Sequence, residues 1–266
     1  METEIVNKRF NIKISIIVIA ILVLAFIVYF AIMSILSPGR KLSEIQNEYG
    51  SRTVVDSTLN SNIFTDSTYL KLLKERAFLQ AITVMAATDS IYLTINIADS
   101  SASLEISGVV VHDAKMSQIE TSSILLYGNE SIVLDLLATP FTIANSYSTI
   151  LKDPVMVKMA PKDTSEYKPD IMPDTSITEP VNYILNMTNG VRIFVYQEEV
   201  DSPTFRKSQF RFDLKFRLAD TWEALKSVAR FKIPVYHPYI KIRLPRSDAK
   251  IFYRALPKHG QIVVYR

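Results

Sequence analysis

The chain has 266 residues, 48% of them hydrophobic, with 30 basic and 27 acidic side chains and a formal net charge of +3. This near-balance, with the basic residues spread along the chain, argues against a nucleic-acid-binding protein. The absence of cysteine excludes a disulfide framework, a thiolate nucleophile and cysteine-based metal sites. The six isolated glycines and three scattered histidines form neither a phosphate-binding loop nor an HExxH-type motif. We therefore expect no cofactor and no metal site.

The first element along the chain is an uncharged, apolar run from Ile14 to Leu36. As a helix, these residues reach roughly 34 Å, which is enough for a hydrocarbon core of about 30 Å. Pro38 and Gly39 follow, and we expect the helix to end there. A cleaved signal peptide is the alternative, but its apolar core is shorter and a small-residue cleavage site follows it. The pattern favours an uncleaved transmembrane helix.

The short amino-terminal tail and the long remainder favour an N-in, C-out orientation, since Lys8, Arg9 and Lys13 precede the apolar run. We expect a cytoplasmic stub, a transmembrane helix, a polar juxtamembrane linker and a β-rich domain that carries a proline-rich insertion. The predicted bounds are 1–13, 14–37, 38–65 and 66–266, with the insertion at 152–180.

The domain opens with a helical pattern and continues with short strands. Apolar residues recur at helical spacing from Ser67 to about Ala87, and Asp66 is a candidate N-cap. Two alternating runs then flank the polar turn 98–101, which predicts a β-hairpin. Further strands are predicted at 109–112, 124–127, 132–137, 181–187 and 191–197.

The rest of the chain gives one long alternating run and a strand–helix–strand pattern. From Phe205 to Leu218, phenylalanine and leucine alternate with charged residues, which predicts a half-buried strand with a phenylalanine core. A helix capped by Asp220 would follow, with Trp222 in the core. A strand, a helix and a last strand are predicted at 239–244, 248–256 and 261–265. The whole pattern is typical of an α+β fold with a mixed sheet.

The carboxy-terminal strand reads YIKIRLP from Tyr239 to Pro245, and Asp248-Ala249 opens the helix after it. Together with the hairpin at 91–111, this block resembles the L,D-transpeptidase catalytic domain. The active-site strand of that family reads S-H-G-C-[IV]-R-L/M, before a helix that opens with a D-A-like pair. The resemblance implies a β-rich, extracytoplasmic domain of that fold over about 90–265.

The chain departs from that family at the residues that carry its chemistry. Lys241 stands where the family has its nucleophilic cysteine, Ile240 where it has glycine, and Tyr239 where it has histidine. A thiolate mechanism needs sulfur and a base within hydrogen-bond reach. The resemblance therefore implies the fold without the catalysis, and we predict no catalytic residues.

The candidate binding residues lie on and beside this strand. Tyr239, Lys241 and Arg243 alternate on one face, where the lysine and the arginine can hold a carboxylate, such as one on a peptidoglycan stem peptide. His237, just before the strand, is a further candidate. The alternative for the three strand residues is a solvated strand face without a ligand. The alternative for His237 is a loop histidine with a structural hydrogen bond.

These patterns predict a non-catalytic, single-pass protein of a bacterial inner membrane, with its folded domain in the periplasm. We expect a scaffold or peptidoglycan-binding component of a multi-protein envelope assembly, such as a secretion apparatus. The expected partners are the cytoplasmic membrane, peptidoglycan and other envelope proteins, and no nucleic acid. The alternative is a cell-wall-modifying enzyme that uses a catalytic group other than cysteine, which needs two acids in one pocket.

Overall fold

The structure, a computed structural model, describes residues 2–49, 67–152, 179–200 and 202–266. The helices are α1 (Glu2–Tyr49), α2 (Ser67–Ala86), α3 (Ser123–Tyr127), α4 (Glu130–Leu137), α5 (Pro203–Ala229) and α6 (Arg246–Ala255). The strands are β1 (Ile91–Asn96), β2 (Ser101–Ile106), β3 (Val109–Lys115), β4 (Gln118–Thr121), β5 (Phe141–Ser148), β6 (Asn182–Met187), β7 (Arg192–Gln197), β8 (Tyr239–Leu244) and β9 (Gln261–Tyr265). The predicted cap at Asp66, most of the predicted linker and most of the proline-rich insertion lie outside the described residues.

The chain divides into two compact units. The first comprises Met1–Glu48 and Lys215–Tyr236, and the second comprises Tyr49–Leu214 and His237–Arg266. The first unit therefore contains most of α1 with the second half of α5, and the second unit contains every described strand.

The first unit is built on α1. From Ile17 onward this helix is long and apolar enough to cross a membrane, and its most apolar window has a mean hydropathy of 3.0. The helix does not end at Pro38, as the sequence predicts, but continues to Tyr49. A proline inside a helix removes one backbone hydrogen bond and crowds the carbonyl four residues earlier, at a cost of about 3 kcal/mol. Beyond it, Lys41 and Ile45 are buried one turn apart, which gives the continued helix a packed face.

The second unit contains a mixed sheet with the strand order β3-β2-β1-β9-β5-β6-β7-β8-β4. β1 pairs with β9 and β7 with β8 in parallel, and the other pairs are antiparallel. The predicted hairpin is confirmed as β1 and β2, with Ile91 opposite Ile106 and Asn96 opposite Ser101. The strands predicted near 109, 181, 191, 239 and 261 are confirmed as β3, β6, β7, β8 and β9.

The two outer strands of this order, β3 and β4, follow one another directly in the chain. Only Met116 and Ser117 separate them. The Met116 N–H donates to the Ser100 carbonyl, next to β2, at 2.8 Å, and the Ser117 N–H donates to the Arg243 carbonyl of β8 at 3.0 Å. The chain thus passes from one edge strand of the sheet to the other through two residues. This connection requires the sheet to curl until its two edges lie close together.

The core of the second unit lies between this sheet and the helices that pack on it. Ala81 and Met85 of α2 form a buried cluster with Tyr92 of β1 and Val263 of β9. Their spacing of four residues along α2 places the two side chains on one face of the helix. The helix predicted from Ser67 is thereby confirmed as α2. The apolar stripe is narrower than the sequence pattern indicates, because Leu72, Leu79 and Val84 are exposed.

Two predicted strands, at 124–127 and 132–137, are wrong, because these residues lie in the helices α3 and α4. The side chain of Asn129 accepts a hydrogen bond from the Ser131 N–H and caps α4. Apolar runs this short fit a strand and a buried helix equally well by periodicity. For 132–137 the Asn129 cap favours the helix, whereas Ser122 makes no such side-chain bond before α3.

The strand predicted at 205–218 is also wrong, because α5 is one continuous helix and Asp220 lies inside it rather than at its start. The helix begins after Ser202, whose hydroxyl accepts a hydrogen bond from the Thr204 N–H at 3.3 Å. Pro203 fills the first helical position, where its missing N–H costs nothing.

Helical geometry separates the aromatic side chains that the alternating pattern placed together. Phe212 is buried at 5% exposure and stacks on Tyr147 with ring centres 5.0 Å apart, whereas Phe210 is 64% exposed. Two residues along a helix turn the side chain by about 200°, so the two rings point to opposite sides. Trp222, predicted in the core, is 58% exposed.

Candidate functional site

The predicted binding residues of β8 lie on one partly exposed face of the sheet. Tyr239, Lys241 and Arg243 occupy alternate positions of β8, which runs between β7 and β4. The register places Lys241 between Phe194 of β7 and Glu120 of β4. Paired residues in neighbouring strands share a side-chain direction. We call this surface the β8 face and define it as Gln118, Glu120, Phe194, Tyr196, Tyr239, Lys241 and Arg243.

Glu120 is the centre of the polar contacts on the β8 face. Its Oε1 accepts a hydrogen bond from the Tyr239 hydroxyl at 2.9 Å and another from Lys241 Nζ at 3.0 Å. These two bonds, the one from Lys241 first, hold the pKa of the Glu120 carboxyl below its ordinary value. The Lys241 ammonium also lies 4.6 Å from the centre of the Tyr239 ring. The β8 face thus already holds one carboxylate between an ammonium and a phenol.

Arg243 is fixed from two sides. Its Nε donates to Gln118 Oε1 and one terminal nitrogen donates to the Gln197 carbonyl, both at 3.1 Å. The guanidinium carbon lies 5.7 Å from the centre of the Tyr196 ring, and the Tyr196 hydroxyl donates to Asp213 at 2.8 Å. These contacts set the plane of the guanidinium, which governs how an arginine meets a carboxylate.

His237 contacts a different part of the sheet. Its Nδ1 lies 2.9 Å from the Gly190 carbonyl, at the turn between β6 and β7. Because a carbonyl only accepts hydrogen bonds, this contact assigns the proton to Nδ1. The contact is that of a hydrogen-bonded loop histidine.

Other ionisable side chains make structural contacts elsewhere in the second unit. His112 Nε2 lies 3.1 Å from Asp248 Oδ1, and this pair joins β3 to α6. The Glu199 carboxylate accepts a hydrogen bond from the Arg246 N–H at 2.9 Å and so caps α6. Among the residues that the structure describes, no group of three or more histidine, aspartate or glutamate side chains can hold a metal ion.

Sequence reasoning missed β4, and with it Gln118 and Glu120. The strand has only four residues and contains a single apolar side chain, Ile119. A pattern this short does not separate a strand from a polar turn. Its pairing with β8 decides the structure, and that pairing joins residues more than 100 positions apart, such as Glu120 and Lys241.

Comparisons of the chain with protein families, with curated proteins and with solved structures find no match. The resemblance of the carboxy-terminal strand to the L,D-transpeptidase motif therefore stays a prediction.

Proposed function

We propose that this chain is a single-pass membrane protein of a bacterial envelope and that its sheet unit is a non-catalytic binding module. In this proposal the module acts as a scaffold or peptidoglycan-binding component of an envelope assembly. One observation carries the proposal. A chain with an apolar helix of membrane-spanning length also presents a partly exposed face on which Lys241 holds a carboxylate.

The contacts of α1 support an uncleaved anchor. Ser37 is 6% exposed, and its hydroxyl donates a hydrogen bond to the Pro234 carbonyl at 2.6 Å. Removal of α1 as a signal peptide would take away the partner of that carbonyl. A helix that packs against a distant part of its own chain is part of the fold, which favours retention in the mature protein.

The charges around α1 support the proposed orientation. Three basic residues, Lys8, Arg9 and Lys13, precede the apolar run, and two, Arg40 and Lys41, follow it. The excess of basic residues lies on the cytoplasmic side of most membrane proteins. We therefore assign the amino-terminal residues to the cytoplasm and the sheet unit to the periplasm of a bacterial inner membrane.

The chemistry of the β8 face supports binding of a carboxylate ligand. The Lys241 side chain is 30% exposed and that of Glu120 is 50% exposed, so a ligand can reach the pair from solvent. A carboxylate on a peptidoglycan stem peptide has the same charge and geometry as Glu120. It would compete with Glu120 for Lys241 and gain a second cationic partner in Arg243.

The ion pair of Lys241 supports the part of the proposal that assigns no nucleophile to β8. Its nitrogen donates to Glu120 in an ion pair, and an ammonium has no lone pair with which to attack a substrate. If the chain has the L,D-transpeptidase fold that its sequence resembles, this residue occupies the place of the nucleophile. We propose a related fold that retains binding and lacks the reaction.

Sedimentation with purified peptidoglycan tests the binding half of the proposal. The full-length chain in detergent is incubated with the polymer, and the bound fraction is compared between variants. The double variant Lys241→Ala/Arg243→Ala is expected to lower the apparent affinity at least about tenfold, because two charge-assisted contacts are lost. Glu120→Gln is expected to raise the apparent affinity, because the side chain that competes with the ligand for Lys241 loses its charge.

A charge-matched control separates this site from general attraction to an acidic polymer. The double variant Lys71→Ala/Arg76→Ala removes two exposed cations from α2 and is expected to bind like the parent chain. Equal binding by both double variants would remove the β8 face from the proposal. Turnover of muropeptides by the purified chain would instead favour the enzymatic alternative, and a stable set of co-purifying envelope proteins would support the scaffold role.

A further inference from the structure

The segment that follows α5 carries an aromatic residue at an unusual backbone position. α5 ends in a cap in which the Phe231 N–H donates to the Val228 carbonyl and the Lys232 N–H donates to the Ser227 carbonyl, both at 2.9 Å. Phe231 occupies the left-handed position of this cap, with a φ of +57°. Glycine usually fills that position, because a Cβ atom is crowded there. A phenylalanine in this strained position indicates a use for its side chain.

Phe231 is 83% exposed and yet lies beside α1. Its ring centre is 6.1 Å from that of Tyr29, and three residues later the Pro234 carbonyl accepts the hydrogen bond from Ser37. The segment 230–235 therefore runs along α1 between the levels of Tyr29 and Ser37, within the first compact unit.

The place of Tyr29 in the apolar run sets the depth of this contact. A bilayer core takes about 20 helical residues, so a span that begins at Ile14 ends near Met33. Tyr29 then lies about 6 Å inside the outer boundary, at about 1.5 Å per residue. Aromatic side chains are enriched at this depth, where the acyl chains meet the headgroups.

We infer that residues 230–235 form a second membrane contact, in which Phe231 and Val235 enter the phospholipid bilayer beside α1. This inference rests on the proposed transmembrane role of α1. Val235 is 67% exposed, so both apolar side chains lie on the protein surface. Contact with lipid would remove them from water. The occupant of this surface is phospholipid at the boundary between acyl chains and headgroups, because that zone of the bilayer surrounds α1 at the level of Tyr29.

The charges beside Phe231 fit the same occupant. Arg230 and Lys232 flank it in the chain, and both are exposed. Long basic side chains at this depth extend toward the lipid phosphates while their methylene groups stay in the apolar zone. The segment thus has the composition of an interfacial anchor, with apolar side chains that enter the bilayer and cations that bind its surface. It holds the carboxy-terminal end of α5 at the membrane.

Fluorescence quenching by brominated lipids tests this inference in the full-length chain. Trp222 is the single tryptophan, so the background variant Trp222→Phe removes all native tryptophan signal. Phe231→Trp, Leu24→Trp and Tyr127→Trp are then made separately in that background. Each is reconstituted into vesicles of equal parts phosphatidylcholine and phosphatidylglycerol, with or without bromine on the acyl chains. Leu24 reports on the centre of α1, and Tyr127, 85% exposed on α3, is the reference in the sheet unit.

Bromolipids are expected to quench Phe231→Trp at least about twofold more than Tyr127→Trp. If Leu24→Trp is quenched and Phe231→Trp is quenched no more than Tyr127→Trp, the segment lies in water and the inference is wrong. If Leu24→Trp is not quenched either, α1 does not span the bilayer, and the proposed anchoring fails together with the inference. The two failures are therefore distinguishable.

A second measurement covers the case in which tryptophan is not tolerated at the left-handed position. The chain has no cysteine, so Phe231→Cys gives a unique site for a nitroxide spin label. A label at the bilayer boundary collides more with oxygen than with a water-soluble nickel chelate. The opposite ratio, with a label at Leu24→Cys still protected from the chelate, overturns the inference.

Discussion

The ion pair of Glu120 with Lys241 gives the chain one pH-dependent contact whose sign follows from its geometry. The hydrogen bonds from Lys241 and Tyr239 lower the pKa of the Glu120 carboxyl in the folded state, below its ordinary value of 4.5. A carboxyl with a lowered pKa stabilises the folded state above its unfolded pKa. That stabilisation is lost as the pH falls through the lowered folded value.

We expect the parent chain to be more stable than Glu120→Gln at neutral pH, by less than about 1 kcal/mol because the pair is half exposed. The difference should shrink toward zero as the pH falls below the ordinary pKa of a glutamate. Urea unfolding of both chains in detergent, followed by near-UV circular dichroism across that pH range, measures it. A difference that grows on acidification would contradict the assigned sign.

Two buried tyrosines provide a matched test of hydrogen bonding in the core. The Tyr92 hydroxyl donates to the buried Glu105 carboxylate at 2.8 Å, whereas the Tyr183 hydroxyl has no hydrogen-bond partner among the described residues. Tyr92→Phe should lower the free energy of unfolding by about 1–3 kcal/mol, since it leaves Glu105 without its donor. Tyr183→Phe should be neutral or stabilising, because it removes an unsatisfied buried hydroxyl.

Thermal and urea unfolding of the two variants gives the comparison directly. Both substitutions remove the same atom from a fully buried ring, so their difference isolates the partner. Equal losses of stability would show that the Tyr92–Glu105 contact contributes nothing beyond packing.

At the scale of the element, α5 is the segment in which local pattern and structure disagree most. A strand would place Phe210 and Phe212 on the same face, since side chains alternate with a period of two. The helix places them on opposite sides, with Phe212 against Tyr147 and Phe210 in solvent. The same two side chains therefore give opposite predictions for the two structures.

We expect Phe212→Ala to cost about 3–5 kcal/mol, because it opens a cavity against the sheet. Phe210→Ala should change stability by no more than about 0.5 kcal/mol, as an exposed substitution does. Denaturant unfolding of both variants decides between helix and strand. Similar losses of stability at the two positions would instead support a strand.

The sequence contained a signal for α5 that outweighs the alternation. Ser202 followed by Pro203 is a strong helix start, and the described residues after it to Ala229 include neither glycine nor a second proline. The alternation of phenylalanine with basic residues fits a strand, but an alternating run of this length also places every fourth residue on one helix face. Only packing against Tyr147 shows which face is buried.

At the scale of the whole molecule, α1 has the length and apolar character to cross a membrane. In the proposed function, residues near Leu24 lie at the centre of the bilayer. Each arginine placed there costs about 2.5–3.5 kcal/mol of insertion free energy. The double variant Leu22→Arg/Leu24→Arg should therefore shift the chain out of the membrane-integrated fraction.

Alkaline extraction of membranes from expressing cells measures this shift. The control Leu72→Arg/Leu79→Arg introduces the same charges at leucines of α2 that are 59% and 54% exposed. It should leave the chain in the membrane pellet with the parent. Loss of both double variants from the pellet would point to misfolding, and retention of both would contradict a lipid-embedded α1.

The sequence by itself determined the features that depend on composition and near neighbours. Charge-free length identified the apolar part of α1, alternation across a short polar turn defined β1 and β2, and the pattern from Tyr239 onward defined β8, α6 and β9. The tertiary structure alone decided what depends on distant pairing. It brought Glu120 to Lys241 and Phe231 to Tyr29, and it made a helix of the run that begins at Phe205. Local patterns report which faces a segment can bury, and only the fold shows which partner covers them.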